Sequence, residues 1–242
     1  MSLAGDVVDF FTTADNWWGR FGIFNRAEEH LRYSASATAV AVAIALPLAI
    51  WLGHHRRFGT VAINVANVGR ALPSFALIAL SAQIFGLDEL PFAGPTTAFI
   101  ALVALAIPPI LINAYVGMAD VPDHVRDAAR GMGYTGSQQA LQVELPNALP
   151  LIIAGIRTSA VQVVATATLV AIVGAGGLGR YIIDGLATSD DAEVAAGALL
   201  VAALAIAVEG LFAALRALVL SPGLRLGRPG ARRGASRAPA LP

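Results

Sequence analysis

Apolar residues run along this chain in long blocks parted by short polar breaks, with no strict alternation. Five blocks stand out: Tyr33 to Gly53, Val61 to Phe85, Thr97 to Val116, Leu149 to Val173 and Val194 to Arg216. Each reaches the ~20 residues that a helix needs to cross a ~30 Å hydrocarbon layer. Strands of a membrane barrel would be about half as long and would alternate apolar with polar positions. The pattern therefore predicts an all-α, polytopic membrane helical bundle of about five transmembrane helices.

The polar breaks carry opposite charges. His54-His55-Arg56-Arg57 lies between the first two blocks, Arg126 and Arg130 between the third and fourth, and Arg225, Arg228, Arg232, Arg233 and Arg237 after the fifth. The other breaks are acidic, with Asp88 and Glu89 after block two and Asp184, Asp190, Asp191 and Glu193 after block four, against a single Arg180. Short cytoplasmic loops are enriched in basic residues. The expected placement is a bacterial cytoplasmic membrane, with the N-terminus outside and the C-terminus in the cytoplasm.

Residues 1–32 precede the first block and gather Phe10, Phe11, Trp17, Trp18, Phe21 and Phe24. That density of aromatics suits an extracytoplasmic helix lying at the membrane interface, and the segment has neither the basic start nor the cleavage site of a signal peptide. Residues 33–220 form the transmembrane domain. Residues 221–242, rich in Pro, Gly and Arg, are expected to be a disordered cytoplasmic tail able to touch anionic membrane lipid.

Composition narrows the function. The chain of 242 residues is 57% hydrophobic and 13% charged, with mean hydropathy +0.69, well outside the range of a soluble domain. Its net charge is zero, which argues against a nucleic-acid partner, and the absence of cysteine removes disulfides and thiolate metal sites. All sixteen basic residues are Arg. Without Lys there is no phosphate-binding G-x-x-x-x-G-K-[ST] loop, so the chain cannot hydrolyse ATP by that chemistry. Gly174 to Gly179, GAGGLG, matches a dinucleotide fingerprint only in letters; it follows an apolar helix, not a strand, and reads as a helix end with a tight turn.

Polar residues inside the blocks are candidates for a translocation path, because ionisable groups at membrane depth are costly and usually functional. They are Arg70, Pro73, Ser74, Asn113, Arg157, Gln162 and Thr166. The competing reading makes Arg157 a structural ion pair, with Glu209 paired to Arg216 or to a neighbouring helix. Pro73, Pro108 and Pro109 are expected to kink their helices. The small-residue run SASATAVAVAIA of block one reads as a helix-packing stripe.

One polar stretch has no structural excuse. Asp127 to Pro146, DAARGMGYTGSQQALQVELP, interrupts the apolar blocks on the predicted cytoplasmic side. Pro122 can open a helix there, Asp123 and Asp127 suit its first turns, and Gly131 and Gly133 bring its end, giving a short amphipathic helix near 123–137. Such a helix is a docking surface. Asp127-Ala128-Ala129, Gly133 four positions on, Val143 ten further and then Leu145-Pro146 resemble the E-A-A…G…I-x-L-P signature of permease subunits of binding-protein-dependent ABC importers. Asp127 for Glu and Val143 for Ile are mild departures. NALPLIIAGIRTSAVQVVATATLVAIVGAGGLGRYI, RALPSFALIAL and PPILINAYVGM look similar to permeases of the glycine betaine, carnitine and choline group, and the likeness runs from about Leu31 to Leu220.

The resemblance implies a mechanism and partners. The helix around Asp127 to Gly133 would sit in a cleft of separate ABC ATPase subunits, with Asp127, Ala128, Ala129, Gly133, Leu145 and Pro146 as coupling residues. An extracytoplasmic solute-binding protein would deliver an osmoprotectant such as glycine betaine, choline or a related quaternary amine. A second permease, either another copy or a paralogue, would complete the pathway. No cofactor is expected on this chain, ATP being used by the partner subunit. The alternatives are the same machine carrying methionine or another amino acid, a membrane-embedded enzyme, which would want a convergent His, Asp or Glu set, and an ion channel, which would want a pore loop or charge ring.

Overall fold

Small side chains at every fourth position decide how the first long helix packs. In a computed structural model that describes residues 2–57, 59–71, 73–85, 89–90 and 94–219, α1 (Leu3–Thr12) and a 3₁₀ turn (Ala14–Asn16) precede α2 (Ile23–His55). Ala37, Ala41, Ala45 and Ala49 of α2 are all fully buried. Spacing of four places them on one stripe. Lipid tails are as apolar as any side chain, so helices in a membrane associate by close packing, which small residues permit.

α3 (Gly59–Ala71) and α4 (Ser74–Phe85) follow, then a minimal antiparallel pair, β1 (Glu89–Leu90) with β2 (Gly94–Pro95). The single kinked helix expected over Val61 to Phe85 is instead two helices. Pro73 disfavours helical backbone in the residue before it and cannot donate a hydrogen bond backwards, and its carbonyl accepts from Leu77 N–H at 3.1 Å, so it opens a new helix. Pro108 and Pro109 act differently: α5 (Thr96–Ala119) continues through both, buried between its neighbours, and Ser159 Oγ donates to the Ala106 carbonyl at 2.9 Å.

Beyond α5 come α6 (Asp123–Gly131), the single turn α7 (Gly136–Gln138) and a π-helical turn (Gln139–Glu144). The π turn runs into α8 (Leu145–Thr166), which tightens to a 3₁₀ turn (Ala167–Val173), and α9 (Gly179–Thr188) and α10 (Asp191–Val219) end the described chain. Among the described residues four helices are long and apolar enough to cross a membrane: Ile23–His55, Thr96–Ala119, Gly136–Val173 and Asp191–Leu218. The core is built where α2, α5 and α8 meet. Gly53 of α2 lies against Met118 of α5, and a Cβ on Gly155 of α8 would come within 2.7 Å of Asn113 Cβ, so both glycines set the helix separation. α10 is mostly exposed.

The aromatic N-terminus folds over one end of the bundle. Phe10, Phe11 and Trp17 pack with Ile23, Leu178, Tyr181 and Val201, the Phe10 and Tyr181 rings meeting edge to face at 5.6 Å. Tyr181 O–H donates to Phe21 O at 2.7 Å, and burial pushes its phenol up to about 12, with Arg26 acting in the opposite direction. Of the six N-terminal aromatics, Trp18, Phe21 and Phe24 keep exposed rings suited to the interface. GAGGLG forms the turn expected of it, with Gly174 at φ 86° and Gly177 at φ 89°, and Gly177 N–H donates to Glu29 Oε2 at 2.8 Å. The basic stretch 221–242 lies outside the described residues.

Candidate functional site

The polar stretch after α5 makes a compact device at the ends of α2 and α5. α6 begins after Pro122 (φ −58°, ψ 143°), whose fixed φ and missing N–H suit a helix start. It ends in a turn that needs Gly133 at φ +84°, where a Cβ would meet nothing within 4 Å. Met132 N–H donates to Ala128 O and Tyr134 N–H to Ala129 O, closing the helix. Thr135 then starts α7 with a capping box: its N–H donates to Gln138 Oε1 at 2.9 Å and its Oγ1 accepts from Gln138 N–H.

α6 has two unlike faces. Asp127, Ala128, Arg130, Met132 and Gly133 are exposed, and among the described residues Asp127 pairs only with Arg130, 3.4 Å away on the next turn. Arg126 and Ala129 point inward and are buried. Ala129 therefore seats α6 on its own bundle, while Ala128 and Asp127 form the outer rim. The sequence grouped the two alanines as one contact surface; the three-residue period of the buried positions separates them.

The residue that anchors the device was not singled out in the sequence. Arg126, 3% exposed, donates through Nη2 to Met118 O at 2.7 Å and through Nη1 to His54 O at 3.0 Å, so one guanidinium joins the last carbonyls of α5 and of α2. Those carbonyls are the orphan acceptors of two helix C-termini, where partial negative charge accumulates. The same Nη1 lies 3.1 Å from Glu144 Oε1. Glu144 is fully buried, and it also accepts from Gln139 Nε2 at 2.7 Å and from His54 Nδ1–H at 2.8 Å. Burial draws Arg126 below the ordinary guanidinium value, and the Glu144 carboxylate pulls it back.

Arg56 adds a second clamp. As the left-handed C-cap of α2 (φ 49°) it donates to Ala119 O at 3.0 Å and Val121 O at 2.7 Å, and pairs with Asp123 at the start of α6. Arg56 and Arg126 thus tie α6 to the ends of α2 and α5 and, through Glu144, to the root of α8. Glu144 opens α8, and its π turn is the kind of local insertion found at functional sites. Leu145 is half-buried against the core and Pro146 is exposed in the first turn of α8. The signal for this network was in the sequence, since Arg126 sits three residues before Ala129 and Glu144 directly precedes Leu145-Pro146, yet only the fold brings positions 54, 126 and 144 together.

The path candidates do not converge in the same way. Arg70 lies in α3 with its side chain outside what is described, and Pro73 and Ser74 mark the break between α3 and α4. Asn113 Nδ2 donates to Pro109 O of its own helix at 2.8 Å. Arg157 Nε donates to Glu209 Oε2 at 2.7 Å, joining α8 to α10, which selects the neighbouring helix over Arg216 as the partner of Glu209. Gln162 is half-buried and Thr166 closes α8.

Comparison with known proteins agrees with this architecture. Residues 45–226 match the model of the family described as binding-protein-dependent transport system inner membrane component. The carnitine transport permease protein OpuCB of Listeria monocytogenes is 37% identical over 202 residues, covering 84% of this chain and 90% of that one. The glycine betaine/carnitine/choline transport system permease protein OpuCB of Bacillus subtilis (strain 168) is 34% identical over 197 residues, 81% of this chain and 88% of its own. Inward-facing crystal forms of the MetNI methionine ABC transporter share the fold, with TM-score 0.68 at 22% identity over 80% of this chain and 94% of theirs. This chain is therefore a membrane-spanning transport permease and not an enzyme, and it belongs to the family of binding-protein-dependent transport system inner membrane components.

Proposed function

We propose that the chain is the permease of an importer for an osmoprotectant such as glycine betaine, choline or a related quaternary amine. Membership of the family brings an ATPase subunit and a solute-binding protein as partners. The substrate reading rests on relatives named for carnitine, glycine betaine and choline at 33–37% identity over most of their length. Likeness to a methionine transporter at 22% identity is a likeness of fold and adds nothing for an amino acid.

The observation that carries the mechanism is the buried Arg126. It makes α6 a lever fixed to three spans while Asp127, Ala128 and Gly133 stay exposed on the outer rim. In this reading the rim docks in the ATPase, whose closure on ATP moves α6 and, through Arg126, Arg56 and Glu144, the ends of α2, α5 and α8. Ala129, Leu145 and Pro146 keep the lever seated. ATP is held by the partner, and this chain binds no cofactor. A second permease, copy or paralogue, faces it, and Arg70, Pro73, Ser74, Asn113, Arg157, Gln162 and Thr166 are the polar and kink positions proposed for the path. The arginine asymmetry supports an N-terminus outside and a C-terminus, with the tail 221–242, in the cytoplasm against anionic lipid.

The test is uptake by the reconstituted complex. A radiolabelled betaine should enter vesicles only when ATP and the binding protein are both supplied. Uptake by this chain alone on an ion gradient would overturn the proposal.

A further inference from the structure

Within the five apolar blocks Glu209 is the only acidic residue. It lies about 27 Å along α10 from Asp191, and Arg157 about 18 Å along α8 from Leu145, so both stand inside spans. Their pairing is bidentate: Arg157 Nε donates to Glu209 Oε2 at 2.7 Å, and Nη2 pairs with Oε1. The two side chains nevertheless remain 34% and 41% exposed, whereas those of Arg126 and Glu144 are shut away at 4% and 0%. A pair serving only to join α8 to α10 is best closed off, because charge left open to hydrocarbon is costly. Its open edge fits a water-filled path instead. On the same helix Thr158 is exposed and Gln162 half-buried, two polar positions four apart and so on one face.

The two charges select what can stand beside them. A lone carboxylate at this depth would attract any cation, but Glu209 comes with Arg157. A solute carrying only a quaternary ammonium satisfies Glu209 and leaves the guanidinium uncompensated. A solute carrying both a quaternary ammonium and a carboxylate can lie antiparallel to the pair. Its ammonium then meets Glu209, its carboxylate meets the planar fork of Arg157, and no charge is left over. We propose that Arg157 and Glu209 form a zwitterion-selective site on the translocation path, taking quaternary-ammonium carboxylates in preference to purely cationic amines. Discrimination comes from the charge that the wrong solute strands. The inference rests on the reading that the chain carries quaternary amines, and it narrows that class.

The test measures binding of radiolabelled glycine betaine, and separately of choline, to the purified permease–ATPase complex by scintillation proximity, with no binding protein present. Glycine betaine should bind, and unlabelled glycine betaine should displace the label at about one-tenth the concentration of choline. Arg157→Gln leaves Glu209 as a lone carboxylate and should reverse the order, so that choline binds better than glycine betaine. Arg157→Met/Glu209→Leu removes the pair without stranding either charge and should bind neither solute, and co-elution of the ATPase checks that each variant assembles. No binding of glycine betaine, equal competition by the two solutes, an unreversed order in Arg157→Gln, or unchanged binding in the double variant would overturn the site and leave the pair a structural tie between α8 and α10. The proposed function falls separately, only if the complete complex with its binding protein imports no quaternary amine.

Discussion

Replacing Arg126 by Met keeps an unbranched apolar stem and removes the charged guanidinium, so it tests what the guanidinium does. Glu144 is then left fully buried without its arginine, keeping only His54 and Gln139, and Met118 O and His54 O lose their donor. Removing one member of a buried ion pair costs ~3–5 kcal/mol, and each buried acceptor left unpaired adds ~1–3 kcal/mol, the two overlapping because they describe one environment. Glu144→Leu should cost about as much, by stranding the cation. The double variant strands neither. Replacing both members of a buried pair with apolar groups of similar volume is often neutral, so Arg126→Met/Glu144→Leu should recover most of the loss. Coupling should not recover, because the lever is no longer tied to the carbonyls of α2 and α5. The assay pairs thermal unfolding of the purified complex with solute-stimulated ATP hydrolysis in proteoliposomes. Both single variants should melt early and be uncoupled, and the double should melt near wild type yet remain uncoupled. The reasoning fails if the double is as unstable as the sum of the singles, or if it is stable and fully coupled.

Gly133→Asp should leave membrane abundance normal while weakening co-purification of the ATPase, since it puts a charged Cβ-bearing residue at φ +84° on the outer rim. Ala129→Glu should instead lower the abundance of the folded permease by burying an unpaired carboxylate beneath α6, and equal abundance of the two variants in a membrane blot would contradict the two-faced helix. A cysteine at Asp190 should react with a membrane-impermeant thiol reagent on intact cells and one at His55 only after lysis; reversed labelling would invert the orientation. Tyr181 is raised to about 12, so its contribution to stability is complete below the ordinary tyrosine value near 10 and fades as pH rises through about 12; an ultraviolet titration of Tyr181→Phe should lack this late-ionising phenol.

The spans themselves were written in the sequence, because a membrane helix satisfies its backbone internally and needs only a long apolar run, which is a local property. The small-residue packing stripe of block one was legible for the same reason, though its four-residue spacing and its continuation to Ala49 were read from the structure, and so was α6, whose Pro122 start and Gly133 end act within one turn. What lay beyond the sequence was each feature that depends on a distant partner. Pro73 breaks a helix while Pro108 and Pro109 do not, because the latter pair is buried among neighbours. The aromatic N-terminus packs on Tyr181 because α9 and α10 bring that ring to it. The two alanines of the docking signature part company because the bundle claims one face of α6. Arg126 and Glu144 are eighteen positions apart, and His54 is further still; their meeting depends on two helix ends and a π turn arriving at one point. A buried charge is tolerable only where its partners already stand, and that condition belongs to the tertiary structure alone.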